Sequence, residues 1–137
     1  RGSLIQCPGG GGVDLWLNDG PARQLNGTYD AIMYTTFAIE VIRRHAQSKD
    51  KAPLYLHLEY HVVHEPIQSP VVYQDRYPHV TNKCRKAYCG MISAMDDGVG
   101  NVTSALKKYG LYENAVLLVT SGEWAATALT DPIIDGF

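Results

Sequence analysis

What this 137-residue chain lacks narrows its reading more than what it contains. No apolar run approaches the roughly 18 residues that a membrane-spanning helix needs. Neither sign of charge dominates, with 12 Lys and Arg against 14 Asp and Glu and a net charge of −2. That balance leaves no electrostatic footprint for nucleic acid or an anionic membrane. The chain opens on Arg1, and Leu4-Ile5 is too short for the apolar core of a secretory signal. We therefore expect a piece of a longer protein. With only three cysteines, not all can pair within the chain. Cys84 and Cys89 fall in a helical stretch, where five residues separate side chains by roughly 140°. A local disulfide is excluded on that spacing, and free buried thiols are expected. The glycines at 9–12 are followed by no Gly-Lys-Ser/Thr and preceded by no strand, so they make no phosphate loop. No internal repeat is present.

What is there has an ordered alternation of helix and strand. Asp14 to Gly27 carries turn chemistry in Asn18-Asp19-Gly20-Pro21, with Leu15, Trp16 and Leu17 as an apolar anchor. Tyr29 to Ala46 predicts a helix. Thr36, Glu40, Arg43 and Arg44 make its polar stripe, and Ile32, Ala38, Ile39 and Ile42 lie on the far side. The run from Pro53 through Tyr60 is apolar and aromatic and predicts a buried strand. It leads into His64-Glu65-Pro66, where the proline cannot continue a ladder. A long loop over 65–82 follows. Lys83 to Tyr109 predicts a second helix, with Tyr88, Ile92, Met95, Val99, Val102, Leu106 and Tyr109 as its core-facing stripe and Gly110 as the terminating glycine. Asn114 to Thr120 predicts a second buried strand, apolar without alternation as parallel strands are. The order helix, strand, helix, strand indicates α/β with a parallel sheet.

The chemistry concentrates at one place. His57, His61 and His64 cluster in sequence, but in a strand residues 57 and 61 share a face that 64 does not. The His-Glu-x-x-His zinc pattern is absent, because Gln68 stands four residues after His64. A buried or hydrogen-bonded His57 is preferred over a metal ligand, and no metal-binding residue is assigned. His64, at the end of a strand where open α/β sheets collect ligands, is the candidate functional residue. Asp96 and Asp97 are adjacent on a helix and cannot act as a paired acid and base. They read as solvated, Asp97 the more exposed. Asn26-Gly27-Thr28 and Asn101-Val102-Thr103 fit the N-glycosylation acceptor pattern and make Asn26 and Asn101 candidate glycan sites.

Taken together, Val13-Asp14-Leu15-Trp16, Pro53-Leu54-Tyr55-Leu56 with Val63-His64-Glu65-Pro66, Tyr88-Cys89-Gly90-Met91, Met95-Asp96, Val99 to Thr103 and Leu111 to Asn114 resemble the arylsulfatases of the sulfatase family. The resemblance implies a partial catalytic domain over 13–121, a disordered or foreign segment over 1–12, and a divergent tail over 122–137. It implies an α/β fold of alkaline-phosphatase type, a mostly parallel sheet flanked by helices. It also implies hydrolysis of a sulfate ester of a sugar, such as a glycosaminoglycan, or of an aryl alcohol, in a lysosomal or secreted protein. His64 matches the family histidine that contacts the sulfate and assists departure of the alcohol. The family's cofactors are a bound calcium and a formylglycine made from the cysteine of a Cys-x-Pro-Ser-Arg motif. No such motif occurs here, and Ser121 runs into Gly122-Glu123-Trp124 where the family has Asp-Asn-Gly-Gly. These 137 residues alone are therefore expected to be inactive. Two other readings stay open: a phosphate-ester hydrolase of the alkaline phosphatase superfamily, and a non-catalytic binding protein derived from a sulfatase.

Overall fold

The computed structural model describes residues 15–50 and 52–122. The segments read as foreign or divergent, 1–12 and 123–137, lie outside the described residues, and so does Glu123. A two-stranded antiparallel hairpin opens the described chain, β1 (Trp16–Leu17) pairing with β2 (Gly20–Pro21). Asn18 takes a positive φ of 53° at its tip, a conformation asparagine tolerates better than most residues. The apolar anchor is less buried than its composition suggests, since Trp16 and Leu17 are both exposed.

Two long helices carry the fold. Helix α1 (Asp30–Gln47) begins with the Asp30 carboxylate accepting from the Ala31 amide at 2.7 Å. Helix α3 (Lys83–Lys108) begins with Asn82 accepting from the Arg85 amide at 3.0 Å, an N-cap that satisfies one orphan donor. It ends as a Schellman motif. Gly110 sits at φ 71°, its amide donates to Lys107 O at 3.1 Å, and the Leu111 amide donates to Leu106 O at 2.9 Å. Lys107 and Lys108 in the last turn face the negative end of the helix dipole.

The buried faces differ in part from the expected ones, with Ala38 and Ile42 buried as expected. On α3 the buried residues are Ala87, Gly90, Met91, Ser93, Ala94, Gly98 and Ala105. The large stripe from Tyr88 to Tyr109 lies alongside them half-buried, and Ile92 is exposed. On α1 the buried residues are Ala31, Met33, Thr35, Ala38 and Ile42, whereas Ile32 is exposed. The reason is steric: small side chains let the two helices approach closely, and the larger ones are pushed to the flanks. Gly98 shows how close. A Cβ there would lie 2.6 Å from Thr35 Oγ1 and 2.6 Å from the Tyr60 hydroxyl. Thr35 in turn donates to Ala31 O at 2.6 Å and shares a 2.8 Å hydrogen bond with Tyr60.

Neither predicted strand has a ladder partner among the described residues, and Asn114, the expected first residue of the second, ends a 3-10 turn over Tyr112–Asn114. From Leu54 to Tyr60 the even-numbered residues are half-buried and the odd-numbered exposed, so only one face meets the helices. The 114–120 segment, expected to be buried, is exposed, with Val116 at 98% and Leu118 at 85%. An apolar run without alternation is buried only when a sheet covers it, and no parallel sheet lies among the described residues.

The loop expected over 65–82 has structure. It holds a short helix, α2 (Val71–Gln74), packed against α3. Cys84 is disulfide-bonded, not the free thiol expected, while Cys89 is free. The five-residue spacing argued only against a bond between those two.

The packing yields a test with its own control. Gly98→Ala and Gly90→Ala, whose new Cβ would strike Ser69 Oγ, should each lower stability by about 1–3 kcal/mol through overpacking. Gly100→Ala meets nothing within 4 Å and should raise it by up to about 1 kcal/mol through helix propensity. Denaturant melts of the three variants would show it, and equal shifts in all three would refute the close approach.

Candidate active site around His64

His64 is exposed on a turn whose two ends are driven into the core. Val62 is 7% exposed and Ile67 6%, and both join Ala31, Ala87, Met91 and Ala94 in the main apolar cluster between the helices. Burying each such side chain is worth about 1.5–3 kcal/mol. The residues between them, His64, Glu65 and Pro66, face solvent. The turn contains two cis peptide bonds, Val62–Val63 and Glu65–Pro66.

The chain leaving the turn is held by buried polar contacts. The Tyr29 hydroxyl donates to Gln68 O at 3.2 Å. Burial pushes the Tyr29 phenol well above its usual range, with Asp30 and then Tyr73 adding to the shift, so it stays protonated as a donor. Ser69, fully buried, donates to Ala87 O at 2.9 Å, and Gln74 Nε2 donates to Ser69 O at 2.7 Å. Every polar atom buried here is satisfied, as buried polar groups must be to avoid a desolvation penalty. Further along, Arg76 grips Asp97 with two hydrogen bonds of 3.0 and 2.6 Å and lies over the Tyr73 ring at 4.9 Å. Asp97 is thus the less exposed of the acidic pair, the reverse of the expectation, because its partner comes from the loop before α3.

One contact of His64 bears on its chemistry. Nδ1 lies 3.0 Å from Glu65 O. A carbonyl only accepts, so a hydrogen bond there has Nδ1–H as its donor.

The other histidines go elsewhere. His57 is exposed, not buried, and lies 3.4 Å from the Glu59 carboxylate. His61 lies 3.8 Å from Asp30 and meets the Tyr34 ring edge-on at 5.3 Å. The three are not brought together, and among the described residues no group of three or more His, Cys, Asp or Glu could hold a metal ion. The described residues therefore do not fit the family's calcium. Asn26 and Asn101 are both exposed. Sequence reasoning missed the pins at Val62 and Ile67 and the Arg76–Asp97 clamp. The first left a signal, Val62-Val63 and Ile67 bracketing the exposed His64-Glu65-Pro66. The clamp joins positions 21 apart and left none.

Comparison with known proteins identifies the family. The Sulfatase family profile matches residues 6–128. Arylsulfatase J of Mus musculus is 38% identical over 115 residues, 83% of this chain and 19% of that protein. Two crystal structures of Ps i-CgsB, one in complex with k-i-k-neocarrahexaose, superpose with a TM-score of 0.65 at 31% identity over 71% of this chain and 21% of theirs. The chain belongs to the sulfatase family and has its α/β fold of alkaline-phosphatase type. It spans about a fifth of the length of these relatives.

The clamp behind the site carries a pH signature. Asp97 is held below the usual carboxylate range, first by its hydrogen bonds from Arg76 and then by that charge. A depressed folded pKa gives stability that is present above the unfolded value, about 3.9, and is lost as pH falls through the folded one. As pH falls below about 4 Asp97→Asn should therefore lose less stability than the native chain. Parallel acid limbs in thermal melts would show that the clamp contributes nothing.

Proposed function

We propose that the protein carrying this chain is a sulfuric ester hydrolase of arylsulfatase type, with His64 as the residue that contacts the sulfate and protonates the departing alcohol. The observation that carries this reading is a solvent-facing histidine on a turn pinned at both ends, in a chain of the sulfatase family. An alkoxide is a poor leaving group, and an acid positioned to protonate it contributes about 10²–10⁴-fold. With Nδ1–H tied to Glu65 O, the imidazolium would donate from Nε2 as the ester S–O bond to the alcohol breaks. The buried flanks keep the ring from wandering, the pre-organisation that such proton transfer needs.

The family's nucleophile and calcium are not provided by the described residues, and no Cys-x-Pro-Ser-Arg stands in the sequence. We assign no step to either, and the 137 residues alone should be inactive. For the substrate, a sulfated sugar or aryl sulfate is supported by the likeness to Arylsulfatase J and to a structure holding a neocarrahexaose. A lysosomal or secreted location is supported by the disulfide at Cys84, since such bonds persist in oxidising compartments. Gly122-Glu123 in place of the family's Asp-Asn favours a second reading, a sulfatase-derived protein that binds sulfated sugars without cleaving them. A phosphate-ester hydrolase would need additional clustered metal ligands, and the described residues bring none together.

The test uses the full-length protein. His64→Ala should lower kcat about 10²–10⁴-fold on an alkyl or sugar sulfate and much less on 4-nitrophenyl sulfate, whose phenolate leaves without help. Equal activity of the two proteins on both substrates would remove His64 from the mechanism. A native protein inert to all sulfate esters, yet retained on a sulfated-sugar column, would establish the binding reading.

A further inference from the structure

The Asn26-Gly27-Thr28 triplet has no part in the activity proposed above, and its conformation is specific. Residues 25–28 form a β-turn closed by a hydrogen bond of 3.0 Å from the Thr28 amide to Leu25 O. Asn26 has φ −56° and ψ 133°, and Gly27 has φ 83°. Those are the two central positions of a type II turn, the second of which requires a positive φ and so glycine. Asn26, Gly27 and Thr28 are all exposed. A Cβ built on Gly27 meets nothing within 4 Å, so the second central position of the turn opens onto free space. The disulfide at Cys84 is an independent sign that the chain matures in an oxidising compartment, the one in which such triplets are modified.

We propose that Asn26 carries an N-linked glycan. Nδ2 of the side-chain amide forms the new bond to the anomeric carbon of an oligosaccharide. The bond from that carbon to the oxygen of a lipid pyrophosphate donor breaks, and the proton lost from Nδ2 leaves with the pyrophosphate. No oxidant or reductant is involved. A hydrophilic oligosaccharide on this turn is compatible only with bulk solvent beside it. The surface from Arg23 to Thr28, at the N-terminal end of α1, therefore faces outward in the whole protein and does not pack against another part of it. This inference is independent of the proposed activity, since a protein that only bound its ligand would carry the same glycan.

The experiment is peptide mapping of the full-length protein secreted from animal cells. The native protein should yield the Asn26 peptide in glycosylated form, and amidase release in ¹⁸O water should convert that asparagine to labelled aspartate. Asn26→Gln and Thr28→Ala should each migrate faster on a gel by one glycan, while Thr28→Ser should keep the native mobility. A side chain that matters only for folding would not show this pattern, because the conservative hydroxyl variant restores a mass and not a stability. Recovery of the native Asn26 peptide in wholly unmodified form would overturn the proposal, with or without modification at Asn101.

Discussion

The close approach of α1 and α3 at Gly98 is the constraint on which the rest depends. The two helices meet through residues with little side chain, and the Tyr60 hydroxyl fills the gap between Thr35 Oγ1 and the Gly98 backbone. That single contact ties the extended 54–60 segment to both helices, so the segment has a fixed register before any sheet is considered. Val62 and Ile67 then enter the same apolar layer, and the position of His64 follows from theirs. The exposed His64 is held on its turn by ordinary core packing.

The sequence made the helices easy to read. Both begin and end within one residue of their expected limits, because the signals there are local: Asp30 and Asn82 at the starts, Gly110 at the second end. Which face each helix buries was harder. A search for large apolar residues at helical spacing finds Tyr88, Ile92 and Met95. Burial follows the small residues, since the distance between helix axes is set by what can be excluded as much as by what can be covered. Asp97 and Cys84 were misread for a related reason. The partner of Asp97 stands 21 positions away, and the neighbours of either residue in sequence carry no trace of what it binds.

The strands show the opposite limit. Neither run pairs with a sheet among the described residues, and it is the α/β class alone that agrees with the family. Burial is a property of the complete sheet, however, and alternation along 54–60 reports only the face that α1 and α3 cover. The site is legible to the same extent. His64 stands out by its place after a strand-type run and before a proline. The buried contacts that hold it, from Tyr29, Ser69 and Gln74, belong to residue types that occur on any surface.

The exposed run from Ala115 to Thr120 has a consequence for synthesis in the cell. It contains no proline and no charge, and it is the kind of short, β-prone segment that pairs with any open edge it meets. Until sheet neighbours cover it, a nascent chain would present it to other nascent chains in the crowded cell. The yield of folded protein would then depend on how quickly those neighbours arrive, or on a chaperone that shields the run in the interval.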